Sequence, residues 1–359
     1  MAAAGGFQGE VEKRWGGEVP VGVASRTDRH DLRRVHAAGP MTKRSSASIA
    51  LGLKLVVTTG LLVYLVRKVS IGPALAQMAT MHPAAAIGAA ILVLLQLALG
   101  SVRWQLISGL LQAPMHLGRA FKFTLIGQFF NQVLPTALGG DAVRAWLASR
   151  DGAPLGRAIR AVVCDRVVGL VALLIIISAT LLVMPHFAER SLPLQHVFRT
   201  AAVLALAGLA ALFFFGDPLA RRLQRHRLAQ PAGRLIQDLR AALYSPATSA
   251  STMGASVAAH LLAVGAMCLC ANGMNIPLDF GAAMSIVPAI VLVSMAPISI
   301  AGWGVREGAT VVGLGLLGIA ATDALAVSVA YGLLQIAVGI PGGALWFAGG
   351  IGGTGSRRD

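Results

Sequence analysis

Charge is what this 359-residue chain has least of, with 13% of its residues Asp, Glu, Lys or Arg, about half the share of an average soluble domain. Acid is scarcer still, 15 residues against 30 Lys and Arg. Set beside 56% hydrophobic residues and a mean hydropathy of +0.72, that scarcity excludes a water-soluble globular class and makes the bilayer the solvent. Cysteine is nearly missing: Cys164, Cys268 and Cys270 fall inside apolar stretches without Cys-x-x-Cys spacing, which excludes a disulfide framework and leaves no thiolate metal site. Asp-x-Asp and His-x-x-x-x-Asp motifs are absent, so the chain lacks the usual marks of metal-assisted glycosyl transfer and of acyl transfer. No metal or cofactor is expected.

What remains is basic charge and long apolar runs. A formal charge of +15 would suggest nucleic acid in a soluble protein, but here the basic residues sit between apolar runs. They read as loops held on the cytoplasmic side against anionic headgroups. Runs at 48–66, 84–107, 158–184, 253–274 and 324–348 are long enough to cross about 30 Å of hydrocarbon, and a shorter one lies at 198–215. Lys54, near one end of the first run, can snorkel. Eight Lys and Arg in residues 1–47, six Arg in the 216–252 loop, and Arg357 and Arg358 put both termini in the cytoplasm of a multi-pass protein of the bacterial inner membrane. Arg67 and Lys68 are the exceptions. Residues 1–47 are read as a disordered tail, with Met41 a natural alternative start; 48–348 form the transmembrane domain, in halves of about 48–184 and 198–348, and 349–359 a second tail.

Two further apolar stretches, 120–140 and 281–321, carry proline and glycine where a plain span would not. They read as broken or re-entrant elements, with 120–134 open between a re-entrant helix and a short tilted span. Residues 135–144, PTALGGDAVR, and 297–306, PISIAGWGVR, share Pro, Gly, Val and Arg at equal offsets. Each copy follows two expected spans and precedes one, so the fold expected is an all-α polytopic membrane protein of about six spanning helices plus two broken elements, in an inverted internal repeat. The bland alternative is two chance kinks in a chain of 42 glycines, and the matching topological position of the two copies weighs against it.

Few charges lie within the runs. Asp165 and Arg166 sit inside the 158–184 run, and Arg306 and Glu307 adjoin the second break. Each ionised group at the bilayer centre costs about 2.5–3.5 kcal/mol on insertion scales, so partners are expected: Arg144 with Asp165, and Asp141 with Arg166. Such a network either pins the first broken element or, through Arg144, Arg166 and Arg306, offers guanidinium forks to a phosphate or carboxylate. Gln128, Asn131 and Gln132 share a helical face. Gly139, Gly140, Gly302 and Gly304 admit two readings, backbone N–H groups nested around an anion or close helix packing. His260 reads as a hydrogen-bonded core residue, and Trp104, Trp146 and Trp346 as interface anchors.

The stretches FFNQVLPTALGGDAVR at 129–144, DRVVGL at 165–170 and AGWGVREG at 301–308, in that order, resemble the family named for the transmembrane region of lysylphosphatidylglycerol synthases, also called the flippase-like domain family. The resemblance covers about 48–348. Asp165 stands where the family commonly has Glu, and Ala301 where it often has Gly. The resemblance implies a lipid-flipping unit as in the bifunctional aminoacyl-phospholipid synthases, here a stand-alone member without their soluble transferase domain. A non-enzymatic translocator of an anionic or isoprenoid-linked envelope lipid is therefore expected, with Arg144→Ala abolishing transport in a folded protein. The alternatives are a non-transporting accessory subunit of an envelope-lipid pathway and a membrane-embedded transferase using Asp165 or Glu307 as base.

Overall fold

The computed structural model describes residues 71–134, 138–183, 192–296, 299 and 302–349, with the single positions 56, 59, 60 and 63. The tails 1–47 and 350–359, most of the expected run at 48–66, Lys54, Arg67, Lys68, and the prolines of both repeat copies, Pro135 and Pro297, lie outside the described residues. Among the described residues the protein is helical throughout, with no strand.

The helices are α1 (Ile71–Ala79), α2 (Pro83–Leu110), α3 (Leu117–Val133), α4 (Gly139–Arg150), α5 (Leu155–Val183), α6 (Leu192–Gln224), α7 (Gln230–Tyr244), α8 (Pro246–Gly273), α9 (Phe280–Ser294), α10 (Val305–Leu316) and α11 (Ala321–Ala348). Local sequence explains several starts. His82 caps α2 by accepting the Ala84 N–H at 3.3 Å, ahead of Pro83 in the first turn. Asp279 caps α9 by accepting the Ala282 N–H at 3.1 Å. Ala- and Leu-rich sequence without interior breaks then carries α2 through 28 residues.

Four helices have the length and apolar composition to cross a bilayer: Pro83–Leu110, Leu155–Thr180, Thr248–Gly273 and Ala321–Ala348. The run expected at 198–215 lies within the 33-residue α6, whose Val203, Leu204, Phe213, Phe214 and Phe215 are exposed. Exposed residues of this kind, and Ile87, Ile91 and Ile340 on the spans, suit a lipid surround rather than water. The 216–252 segment, read from sequence as a loop, is mostly helix. In α7 the positions Leu235, Leu239 and Leu243 turn one apolar face onto the core around Trp104 and Val168, at the spacing of an amphipathic helix.

Both expected broken elements are helical hairpins. In the first, α3 packs against α4; in the second, α9 packs against α10. Their helices have 17, 12, 15 and 12 residues, so they rise about 18 to 25 Å each. Each is shorter than the roughly 30 Å of a typical hydrocarbon core, the 17-residue α3 being at the lower limit for a span.

The internal repeat is larger than the ten-residue motif. Helices α2 to α5 run long, short, short, long with 28, 17, 12 and 29 residues, and α8 to α11 repeat the order with 28, 15, 12 and 28. Packing follows the same equivalence. The leading helices α2 and α8 pack on each other, α3 packs on α11 as α9 packs on α5, and α2 meets α11 as α8 meets α5. Contacts exchanged in this way are those of two halves related by a pseudo-two-fold. Glycine makes the closest of them possible: a Cβ on Gly342 of α11 would lie 2.0 Å from the Leu125 carbonyl oxygen of α3.

Candidate functional site

An ion-pair network joins three helices of the first half. Helix α5 supplies Asp165 and Arg166, about 15 Å from its start at 1.5 Å per residue. Helix α4 supplies Asp141 from its first turn and Arg144 one turn on. Helix α2 supplies Arg103.

Both pairings expected from sequence form. Arg144 Nη2 donates to Asp165 Oδ2 at 3.2 Å, and Arg166 donates from Nε and Nη2 to the two oxygens of Asp141 at 2.6 and 2.9 Å. Arg144 also reaches Asp141 Oδ1 at 3.4 Å. The strongest hold on Asp165 comes from Arg103, whose Nε donates to Oδ1 at 2.7 Å while Nη1 donates to Ser256 of α8 at 3.1 Å. Arg103 is missing from the sequence-derived set. An arginine inside a 28-residue apolar helix was the available signal, since such a charge demands a partner.

Exposure separates the roles. The side chains of Asp141, Asp165 and Arg144 are 8%, 2% and 8% exposed, whereas that of Arg166 is 41% exposed. Trp104 is fully buried, with the Arg144 guanidinium carbon 4.2 Å from its ring centroid. The sequence reading of Trp104 as an interface anchor is therefore corrected: its ring backs the charge network, a cation–π contact inside the protein. Arg144 is a poor probe of ligand binding for the same reason, because removing it disturbs both aspartates and the packing on Trp104.

The second hairpin carries a smaller pair. Arg306 donates from Nε and Nη2 to Glu307 Oε1 at 3.0 and 2.7 Å, and the Gly304 N–H donates to Oε2 at 2.5 Å. Gly304 and Gly302 have φ of +84° and +78°, which explains glycine at both positions of this turn. Arg306 lies over the Trp303 ring at 4.8 Å and against Gly332 of α11, where a Cβ would meet its Nη2 at 2.2 Å.

Of the two readings of the glycines, the anion nest does not describe Gly140 and Gly304. The Gly140 N–H is taken by Asn131 Oδ1 at 3.0 Å and that of Gly304 by Glu307. Gly140 permits the hairpin to close, since its Cβ would sit 2.0 Å from the Gly127 carbonyl oxygen. Gly139 is buried at the start of α4, and Gly302 lines a cavity.

Two adjoining cavities connect the halves. One, of about 270 Å³, is bounded by Arg103, Arg144, Asp165, Arg166 and His260; the other, of about 380 Å³, is bounded by Arg306, Gln132, Gly302 and Tyr331. Gln96, Gln128, Asn131, Arg166 and Gln335 line both. Gln128 Nε2 donates to Gln335 Oε1 at 2.7 Å across the boundary. His260 pairs with the Gly169 carbonyl at 3.0 Å, as the core reading has it. Glu307 and Asp141 line neither cavity; each is paired with an arginine that does. A separate cavity of about 260 Å³ is lined by Lys122, Arg150, Trp146 and Trp346, the last two with ring centroids 5.6 Å apart, and contains none of the sequence-derived site residues. The three cysteines are free and buried, and among the described residues no cluster of His, Cys, Asp or Glu could hold a metal.

The family model described as lysylphosphatidylglycerol synthase TM region matches residues 50–343. Comparison with curated proteins found no match.

Proposed function

Because the chain belongs to the lysylphosphatidylglycerol synthase TM region family, whose membrane domain is tied to lipid handling, we propose that it is a lipid translocator that carries an anionic or isoprenoid-linked lipid headgroup between leaflets. The observation that carries this reading is the position of the two joined cavities, between equivalent halves and bounded by Arg166 and Arg306. Interrupted helices from two equivalent halves around a polar chamber are an arrangement that many alternating-access transporters share. Cavities of about 270 and 380 Å³ accept a headgroup and leave the acyl or isoprenoid chains in the bilayer, where each buried methylene contributes about 0.8 kcal/mol. Arg166 is the docking residue, since its fork is half free while it is anchored to Asp141. Arg306, the repeat equivalent of Arg144, bounds the other cavity from the second hairpin, and Gln128 and Asn131 line both cavities between Arg166 and Arg306.

The protein on this reading is not an enzyme. It sits in the bacterial inner membrane with both termini in the cytoplasm, where the basic segments lie against anionic headgroups. Nucleic acid is no partner.

The test is leaflet exchange in liposomes holding the purified protein and fluorescent anionic, zwitterionic or isoprenoid-phosphate lipids, for the wild type, Arg166→Gln and Arg166→Lys. Exchange of one headgroup class that falls at least tenfold in Arg166→Gln, with partial retention in Arg166→Lys, supports translocation. Exchange no faster than in empty liposomes for every lipid, from protein that is monodisperse in detergent, sinks it in favour of an accessory subunit.

A further inference from the structure

The third cavity, apart from the ion-pair network, has a charge of its own to satisfy. It lies where three helices meet, lined by Lys122 of α3, Trp146 and Arg150 of α4, and Trp346 of α11. We propose that it holds the phosphate-bearing headgroup of an anionic phospholipid, a resident of the membrane surface distinct from the cargo of the central cavities.

Unmatched positive charge is the first argument. Among the described residues Asp151 is the only acid lining this cavity, and its Oδ1 already accepts from Arg119 Nη1 at 2.5 Å. Lys122 and Arg150 are exposed, and among the described residues neither forms an ion pair. Arg150 lies instead beside the Trp146 ring, 5.1 Å from its centroid. The C-terminal carbonyls of α4 and α11 would repel an anion if left bare. Those of Leu147, Ala148, Ser149 and Leu345 accept from N–H groups that follow them, at 3.0, 3.1, 3.2 and 3.1 Å, so the two cations set the sign of the site.

Position is the second argument, and it selects a lipid over free phosphate. Helix α11 has 28 residues and so rises about 42 Å, the thickness of a bilayer with its headgroup layers. Its last turn, which carries Trp346, falls at headgroup level, where tryptophan is enriched. Leu345 and Phe347 on either side are 38% and 72% exposed, and Trp146 is 41% exposed, an apolar rim for acyl chains beside the two cations. Basic pockets between spanning helices are a recurring form of anionic headgroup site. The Trp346 ring is held edge-on by Phe130 at 5.0 Å and meets Trp146 at 5.6 Å, so the aromatic side of the cavity is built before a lipid arrives. A headgroup here touches α4 at its end, while Asp141 at the start of the same 12-residue helix belongs to the central network. Occupancy therefore ties the first hairpin to α11.

The experiment uses the full chain in neutral detergent, titrated with phosphatidylglycerol, cardiolipin, phosphatidylcholine, glycerol 3-phosphate or inorganic phosphate. Bound lipid is counted by native mass spectrometry, and the melting temperature is read alongside. Arg166→Gln serves as the background, because it removes the docking residue of the central cavities. In that background phosphatidylglycerol and cardiolipin should still bind and raise the melting temperature, whereas phosphatidylcholine and the two soluble phosphates should not. Adding Lys122→Gln or Arg150→Gln should weaken the lipid affinity about fivefold each, and Arg150→Lys should retain it. The unliganded melting temperature should stay unchanged in all three, since none loses an ion pair. Equal binding of phosphatidylcholine overturns the charge argument, and equal stabilisation by either soluble phosphate overturns the assignment to lipid. Binding that Arg166→Gln abolishes, or that Lys122→Gln and Arg150→Gln leave untouched, places the lipid elsewhere and overturns the site. Leaflet exchange does not enter these readouts, so failure of the translocator reading and failure of this site are told apart.

Discussion

The bond between Arg103 and Asp165 gives the sharpest check on the charge network. The two groups meet at 2.7 Å with side chains 13% and 2% exposed. Unit charges about 4 Å apart attract by roughly 4 kcal/mol at an effective dielectric of about 20. Arg103→Gln leaves Asp165 with Arg144 at 3.2 Å, so its cost belongs at the lower end of the roughly 3–5 kcal/mol for breaking a buried pair. Asp165→Asn belongs at the upper end, because it leaves two buried guanidinium groups facing each other with one carboxylate between three. The double substitution removes one charge of each sign and restores the net charge of the cluster. Its cost should therefore fall short of the summed single costs by about 2–4 kcal/mol. Equilibrium unfolding of the four proteins in mixed detergent and dodecyl sulfate micelles, followed by tryptophan fluorescence, measures this. Additive costs, within about 0.5 kcal/mol, would refute the network as described.

Two further outcomes follow from packing. Gly342→Ala places a methyl group 2.0 Å from the Leu125 carbonyl oxygen, so α3 and α11 must separate; a loss of about 1–3 kcal/mol is expected from overpacking, and an unchanged melting temperature would contradict the contact. Cys164 and Cys270 are fully buried and Cys268 is 8% exposed, so a membrane-impermeant maleimide should label none of them in the folded protein and all of them in dodecyl sulfate, as mass spectrometry of the intact chain would record.

Element type was legible wherever the sequence carried a strong solvent preference. Apolar runs of 20 or more residues have few alternatives to a helix in lipid, because every backbone N–H and C=O must be satisfied within the segment. Four of those runs are the spans Pro83–Leu110, Leu155–Thr180, Thr248–Gly273 and Ala321–Ala348. Less legible was the 216–252 segment, where six arginines and three prolines suggested a loop, and where α7 instead buries Leu235, Leu239 and Leu243. Its apolar positions recur at helical spacing, but the charge between them hid the pattern. The repeat was visible in four matched residues, whereas the equivalence of the hairpins rests on lengths and contacts that no ten-residue motif contains.

At the site, charge gave its partners away and size did not. Asp141, Arg144, Asp165 and Arg166 are short of alternatives in an apolar chain, so pairing them across the break needed only their signs and their closeness in sequence. Arg103 lies 62 positions from Asp165, and opposite sign alone could not choose it over the other arginines; packing of α2 on α5 makes that choice. Trp104 shows the converse. An aromatic residue beside an arginine near the end of an apolar run has the look of a membrane-interface pair, yet a tryptophan fully buried under Arg144 is what keeps that guanidinium dry enough to bind two aspartates. The five amides were the hardest to read, since glutamine in a span can equally well bridge two helices. Only the packing, with Gln128 bonded to Gln335 and Asn131 to the Gly140 N–H, shows which helices these amides join and that they also line the cavities.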